Sequence, residues 1–242
     1  MAELQTAKHT EEAGHWYKKD GSPAYTIIGK TGERPTTLRD ARKLGLLPSV
    51  TSIIQLAARP GLQAWMNDQL IMACLTMPRI EGESEADYIT RLKADSKAQA
   101  QKAADRGTLI HARVQDGFEK GSDDPFYLSA FETLLRECGG GKWKTEESFA
   151  TDRYGGKIDL LADEFVIDIK TTDKDLKTIK TWDEHAMQLS AYRRLGSHRC
   201  GILYIHVNTA ESKLLWISED DLVKGLKCFN ALLDFYYAKT GL

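Results

Sequence analysis

Two aspartates and a lysine stand close together in the stretch GGKIDLLADEFVIDIKTT, residues 155–172. Apolar runs at 157–162 and 165–169 flank the polar pair Asp163 and Glu164, a pattern that spells a tight hairpin. With the turn centred on that pair, Asp159 lies directly opposite Asp168 on one face of the sheet. Lys170 is two residues beyond Asp168, so the period of two puts it on the same face. Opposed carboxylates in an apolar hairpin repel each other. A divalent cation between them removes the conflict, and hard oxygen ligands suit Mg²⁺ or Mn²⁺. A lysine beside the pair is then placed to orient a water or help deprotonate it. The blander reading is a surface hairpin with scattered charges. It is disfavoured because both strands are apolar on both faces, as central, covered strands are.

The elements around this hairpin read as α/β. Residues 1–13 are polar and expected to fray. From 15 to 28 the pattern is strand, Asp20-Gly21 turn, strand, followed by a Gly/Thr/Arg/Pro loop over 29–36. A short helix over 37–44 is ended by Gly45, and Ser49 is a good N-cap for a second helix. Arg59-Pro60-Gly61 breaks the chain. A helix with a mainly apolar stripe follows, carrying Leu62, Trp65, Gln69, Leu70, Ala73, Cys74 and Met77. A long helical region covers 84–120, with a candidate interruption at Gly107, and an amphipathic helix covers 127–138. Strands are expected at 143–150, 157–162 and 165–170. Thr181-x-x-Glu184 reads as a capping box opening a helix to Leu195. Strands at 201–207 and 213–217 and a C-terminal helix over 219–239 complete the chain.

Several side chains outside the hairpin could join its chemistry. Gly107 lies one helical turn before His111 on the same side, where a missing side chain lets another group come close. Gln188 and Tyr192 lie one turn apart on the helix after the third strand. Ser49 and Thr51 sit at a helix start, where free N–H groups and the helix dipole favour an anion. Capping accounts for Ser49, whereas the Thr51 hydroxyl is left for a phosphate. Lys93, Lys97, Lys102 and Arg106 read as a loose basic stripe, either a phosphate-tracking groove or a solvated helix face, since Asp87, Asp95 and Asp105 are interspersed.

The order Asp159, gap, Asp168-x-Lys170 resembles the motif of the PD-(D/E)XK nuclease superfamily. The element order from residue 127 onward, αβββαβ followed by a further strand and helix, is similar to that superfamily's core, a mixed sheet flanked by helices. Gly107-x-x-x-His111 resembles the RecB-like exonuclease branch, in which the histidine is a metal ligand. Gln188-x-x-x-Tyr192 resembles the pair that in the family contacts the catalytic lysine and the DNA phosphate. Glu147 resembles a glutamate held near the metals. Glu146 is its neighbour, so strand parity decides between them, and Phe149 on the side of Glu147 argues that this side is inward. Pro48-Ser49-Val50-Thr51 is similar to a helix start in phage exonucleases and the mitochondrial genome maintenance exonuclease. The resemblance spans 47–239.

It implies a restriction-endonuclease-like core at 126–242, integrated with a largely helical N-terminal extension at 1–125 that carries the His motif and part of the DNA channel. It also implies Mg²⁺ or Mn²⁺ held by His111, Asp159, Asp168 and the Ile169 carbonyl, with Glu147 near a second site. Lys170, Gln188 and Tyr192 would join Asp159 and Asp168 in catalysis, and Thr171 and Tyr192 would join the DNA contacts. The activity implied is exonucleolytic hydrolysis of single-stranded DNA or frayed ends, in phage or bacterial recombination, repair or replication. A recombinase or a single-strand annealing or binding protein is the implied partner. Two alternatives stay open: a structure-specific endonuclease on the same core, and a non-catalytic DNA-binding recombination accessory.

Composition bounds the rest. The 242 residues suffice for one large domain, and 42% apolar with 28% charged residues is ordinary globular usage. A net charge of −2 leaves nucleic-acid binding to a local patch. The first sixteen residues hold no apolar signal-peptide core, and no run reaches membrane-spanning length, so a cytoplasmic protein without a membrane partner is expected. Cys74, Cys138, Cys200 and Cys228 form no CxxC pair, so no iron–sulfur cluster is expected and buried free thiols are.

Overall fold

The computed structural model describes residues 15–30, 32–193 and 196–242. The expectations for residues 1–13 and for a helix end at Leu195 lie outside these. The chain opens with β1 (Trp16–Tyr17), β2 (Thr26–Gly29), β3 (Gly32–Pro35), α1 (Leu38–Leu44), β4 (Leu47–Pro48) and α2 (Val50–Ile54). Two long helices, α3 (Pro60–Thr76) and α4 (Glu85–Lys120), follow. Then come α5 (Pro125–Cys138), β5 (Lys144–Ala150), β6 (Gly155–Leu161), β7 (Phe165–Thr172), α6 (Asp183–Arg193), β8 (Arg199–His206), β9 (Ser212–Trp216) and α7 (Glu219–Thr240).

Five strands form one mixed sheet in the order β5-β6-β7-β8-β9. Only the β7–β8 pair is parallel, and α6 is its crossover. Helices α2, α6 and α7 cover one face, burying Val50, Ile53, Leu189, Phe229 and Leu233. Helices α4 and α5 cover the other, burying Ile110, Val114 and Leu134 against Ile167, Ile169 and Leu203. β6 and β7 are therefore central and covered, which is why both read as apolar on both faces.

Local signals set most boundaries. Thr37 caps α1 in a capping box with Asp40, and Gly45 ends it in the left-handed region at φ 62°. Asp124 caps α5, with Pro125 in its first turn and Gly139 closing it. Ser218 caps α7, whose first turn is acidic as the helix dipole favours. Gly225 of α7 lies against α6, where a Cβ would stand 2.6 Å from the Ala186 carbonyl. No other residue allows the two helices to come so close.

Several expectations give way. Within 15–28 there is a turn at Asp20-Gly21, closed by the Lys18–Ser22 hydrogen bond, but only a single bridge, Tyr17 to Pro23. β1 instead pairs with β4, Trp16 opposite Pro48. The hairpin proper is β2–β3, with β2 at the end of the stretch expected as strand and β3 inside the stretch that reads as loop. α4 is one continuous helix of 36 residues with no break at Gly107. α6 starts at Asp183 because the His185 ring accepts a hydrogen bond from the Trp182 N–H at 3.1 Å, in place of a cap from Thr181. On α3 only Ala73 is buried, and Leu62, Leu70 and Leu75 are exposed. Cys200 is buried, but Cys74 and Cys228 are exposed. No helix among the described residues is long and apolar enough to cross a membrane.

Candidate active site

The β6–β7 register is the expected one, with Leu160 opposite Ile167 and Leu161 opposite Val166. Beyond those pairs the two strands part, while β6 stays paired with β5 and β7 with β8. Asp159 reaches into the opening, and its Oδ2 accepts the Ile169 N–H at 2.7 Å. A side chain thus satisfies a donor that the ladder has given up.

Around that opening lies a cavity of about 250 Å³, lined by His111, Asp159, Asp168, Lys170, Gln188 and Tyr192 among others. Asp168 is buried at 1% exposure. Its Oδ1 accepts from Gln188 Nε2 at 2.7 Å, and its Oδ2 faces Lys170 Nζ at 2.6 Å. Gln188 ties the cluster together: its Nε2 also donates to the Tyr192 hydroxyl at 2.9 Å, and its Oε1 accepts from Lys170 at 3.4 Å. His111 comes from the opposite face, on α4, with Nδ1 3.8 Å from Asp159 Oδ2. Gly107 makes room there, because a Cβ on it would lie 3.1 Å from the Thr171 hydroxyl.

The electrostatics are those of charges drawn out of water. Burial, then the charge of Asp168, pushes the Asp159 carboxyl up to about 7. Burial works against the Lys170 ammonium, but Asp168 and Asp159 outweigh it and raise its pKa. Burial lowers the His111 pKa, which leaves its imidazole neutral, the form that binds metals. Tyr192 is held well above the usual phenol value, first by burial and then by the two aspartates, so it keeps its proton.

The donor set fits a hard divalent cation. It offers two carboxylates and a neutral imidazole, and Asp168 Oδ2 is a buried oxygen set against the Lys170 ammonium. Among the described residues no three of His, Cys, Asp and Glu already converge on one point. The Lys170 ammonium is what now balances Asp168.

The remaining candidates divide. Thr51 lines the cavity, its hydroxyl 3.0 Å from that of Ser49. The Ser49 hydroxyl is committed to capping α2 through the Ser52 N–H. Glu147 is exposed and stands outside the cavity wall. Glu146 breaks the strand parity with φ 51° and forms an ion pair with Lys157, itself a cavity residue. The basic stripe is not one stripe. Along the unbroken α4, Lys102 lies about two and a half turns past Lys97's neighbour Lys93, which puts Lys102 and Arg106 on the opposite side. Lys93 and Lys97 share the side of His111, about five turns from Lys93. Arg106 is taken up by the Val207 carbonyl and the Asn208 side chain, at 2.7 and 2.6 Å.

Sequence reasoning overlooked four groups. Arg59, read only as a chain break, adds its charge beside Lys170 and His185, and its buried Nε has no hydrogen-bond partner. His185 is buried behind the cluster, and burial, with Lys170 next, lowers its pKa to about 4. His15, Tyr17 and Tyr25 line the same cavity. Lys157 does too, and its alternation with Asp159 along β6 was the available signal for it.

No protein-family model and no curated protein matches the sequence. Among solved structures, the chain is similar to an alkaline exonuclease (LHK-Exo) from Laribacter hongkongensis, with a TM-score of 0.35 and 14% identity over 83% of this chain and 96% of that one. It is also similar to SSO0001, with a TM-score of 0.28 and 16% identity over 71% of this chain and 86% of that one. At those TM-scores the likenesses are too loose to assign chemistry, which rests on the cavity itself.

Proposed function

We propose that this chain is a metal-dependent deoxyribonuclease of the PD-(D/E)XK type, acting as an exonuclease on single-stranded DNA or frayed ends. One observation carries the reading: Asp159, Asp168, Lys170, Gln188, Tyr192 and His111, from four elements and both faces of the sheet, meet in one cavity. A structural ion pair needs neither the neutral imidazole across the sheet nor a glutamine spanning aspartate, lysine and tyrosine. Perturbed carboxylates with a lysine in a cleft are instead what hydrolysis of a phosphodiester calls for.

His111, Asp159, Asp168 and the Ile169 carbonyl would hold Mg²⁺ or Mn²⁺. When bound, such a cation supplies charge neutralisation on the scissile phosphate and acidifies water. Lys170 orients the attacking water and stabilises charge developing on the phosphate oxygens. Gln188 holds Lys170 and Asp168 in register. Tyr192 accepts its hydrogen bond from Gln188, so its own proton is free to donate to a phosphate oxygen. Thr51 and Thr171 offer hydroxyls beside this path, and Lys93 and Lys97 extend it along α4 with charge. A recombinase or single-strand annealing or binding protein that hands over single strands fits this role as partner.

The test is a digest of end-labelled single- and double-stranded DNA beside covalently closed circles, with Mg²⁺ or Mn²⁺. Single strands with free ends should be cut, and closed circles should survive. Lys170→Ala should bind single strands nearly as well as wild type yet cut them orders of magnitude more slowly. Equal cleavage of circles would make the enzyme an endonuclease, and undiminished cleavage in excess chelator would remove the metal.

A further inference from the structure

We propose that His15 and Tyr25 form a stacking platform for the base of the nucleotide whose phosphodiester bond is cut. The proposal rests on the nuclease reading above and gives the N-terminal segment its part in it.

That segment is fixed with its rings turned to the chemistry. The His15 carbonyl accepts the Ser49 N–H at 3.0 Å, and β1 pairs with β4 immediately after it. Trp16 points the other way, buried at 2% exposure in a small core with Ala24, Ala41 and Leu46, its indole N–H on the Thr36 carbonyl at 3.2 Å. Alternation along the strand then sends His15 and Tyr17 to the cavity side. Gly155, on the catalytic strand, admits Tyr17, since a Cβ there would stand 2.5 Å from the Tyr17 side chain.

The rings are arranged as a stack rather than as core packing. His15 lies on Tyr25 with centroids 4.5 Å apart and planes 26° from parallel. Tyr17 braces Tyr25 edge-on at 5.7 Å and 89°, with the two hydroxyls 2.6 Å apart. Tyr17 is buried, Tyr25 half-buried and His15 exposed. Among the described residues the stack therefore has a rigid base and an open end, with Tyr25 covering only one face of the imidazole. Partial desolvation of the ring, and then the Lys157 charge, hold His15 below its usual pKa, so it meets a ligand as a neutral ring and not as a phosphate-pairing cation.

A flat, uncharged, pre-stacked surface in the wall of a phosphodiester-cutting cavity suits a nucleobase. Every base has a π-face, so such a platform is indifferent to sequence, as an enzyme that digests successive nucleotides requires. A paired base has both faces occupied in the duplex, so only an unstacked one can use it. The cavity, about 250 Å³, lies below the range of roughly 300–1,000 Å³ typical of pockets for drug-sized ligands, which suits one nucleotide and not a duplex.

The experiment pairs removal of a ring with removal of the base. Wild type, His15→Ala, Tyr25→Leu and Tyr25→Phe are given end-labelled single strands, with either a normal or an abasic nucleotide at the scissile position. Wild type should prefer the base-bearing strand by roughly 5- to 150-fold in kcat/KM. The ratio should collapse towards one in His15→Ala and Tyr25→Leu and persist in Tyr25→Phe, which keeps the ring. In metal-free buffer, 2-aminopurine at the strand end should lose fluorescence on binding wild type but not Tyr25→Leu. Urea unfolding of His15→Ala beside wild type separates a folding defect from loss of the platform. A wild-type ratio near one, or variants that slow both strands alike with the ratio intact, overturns the platform while leaving the nuclease standing. No cleavage of either strand with Mg²⁺ or Mn²⁺ overturns the nuclease reading, and the platform falls with it.

Discussion

Asp159→Asn should stabilise the metal-free protein while abolishing its chemistry. Burial and the neighbouring Asp168 push the Asp159 carboxyl from 3.8 up to about 7. An acid whose folded pKa lies above its unfolded value binds its proton more tightly in the native state. Its stabilising contribution is then full below the unfolded value and is lost as pH rises through the folded one. Ionising Asp159 therefore costs the fold a few kcal/mol by neutral pH, at ~1.4 kcal/mol for each tenfold change in proton affinity. Asparagine carries no charge there and keeps an oxygen to accept the Ile169 N–H. Urea unfolding in chelator, at pH 5 and pH 8, measures the difference. The advantage of the variant should grow by about 3 kcal/mol between the two, or roughly 6–12 °C in Tm for a chain of this size. Adding Mg²⁺ or Mn²⁺ should then raise wild type by mass action and leave the variant unmoved. An advantage that stays flat with pH, or a wild type that is the more stable at pH 8 in chelator, would refute the claim that these carboxylates are held together against their repulsion.

His111→Ala separates a ligand from a core histidine. Imidazole nitrogen suits manganese better than magnesium, so the variant should lose activity and shift its metal preference, yet melt near the wild-type temperature because the side chain is part-exposed. A large drop in Tm with activity intact in the folded fraction would make it structural. Gly225→Ala tests the α6–α7 contact that holds Gln188 in place. The added methyl meets the Ala186 backbone at 2.6 Å, and overpacking of this kind costs typically ~1–3 kcal/mol. Urea unfolding should show that loss, with slower turnover beside it, and a variant as stable as wild type would show that the helices have room to part.

What was legible in the sequence was what local chemistry decides. The β6–β7 register follows from an apolar alternation broken by one polar pair, and Thr37, Gly45, Ser49 and Gly139 mark helix ends through groups within a turn of themselves. What was not legible depended on distant partners. β1 has two residues, too few to show a period, and its mate β4 lies some thirty residues on. The four basic residues of α4 follow one another at spacings near one turn, but at about 3.6 residues per turn the excess accumulates and turns Lys102 and Arg106 away from Lys93 and Lys97. Parity could not choose between Glu146 and Glu147, because the positive φ of Glu146 interrupts the alternation on which parity rests. The residues of α3 show a mainly apolar stripe, but only α4 packs extensively along it, and most of its large side chains stay exposed.

The most consequential of these hidden features is the parting of β6 from β7. A regular hairpin would have paired Asp159 with Asp168 through the backbone and pressed their carboxylates together on a closed sheet. Instead the ladder stops at Leu160–Ile167, and the Asp159 carboxylate takes the Ile169 N–H that a strand neighbour would have taken. The room so made lets His111 approach from α4 and Lys170 and Gln188 from the other face. β5 and β8 keep each strand in the sheet on its outer side, so the gap costs no loose edge. Repulsion between the two aspartates argues against a closed hairpin, and the open one turns that same repulsion into an affinity for whatever positive charge enters. Lys170 answers it at Asp168 in the resting arrangement. The raised pKa of Asp159 marks the part still unanswered, and the metal titration of wild type against Asp159→Asn reads that remainder directly.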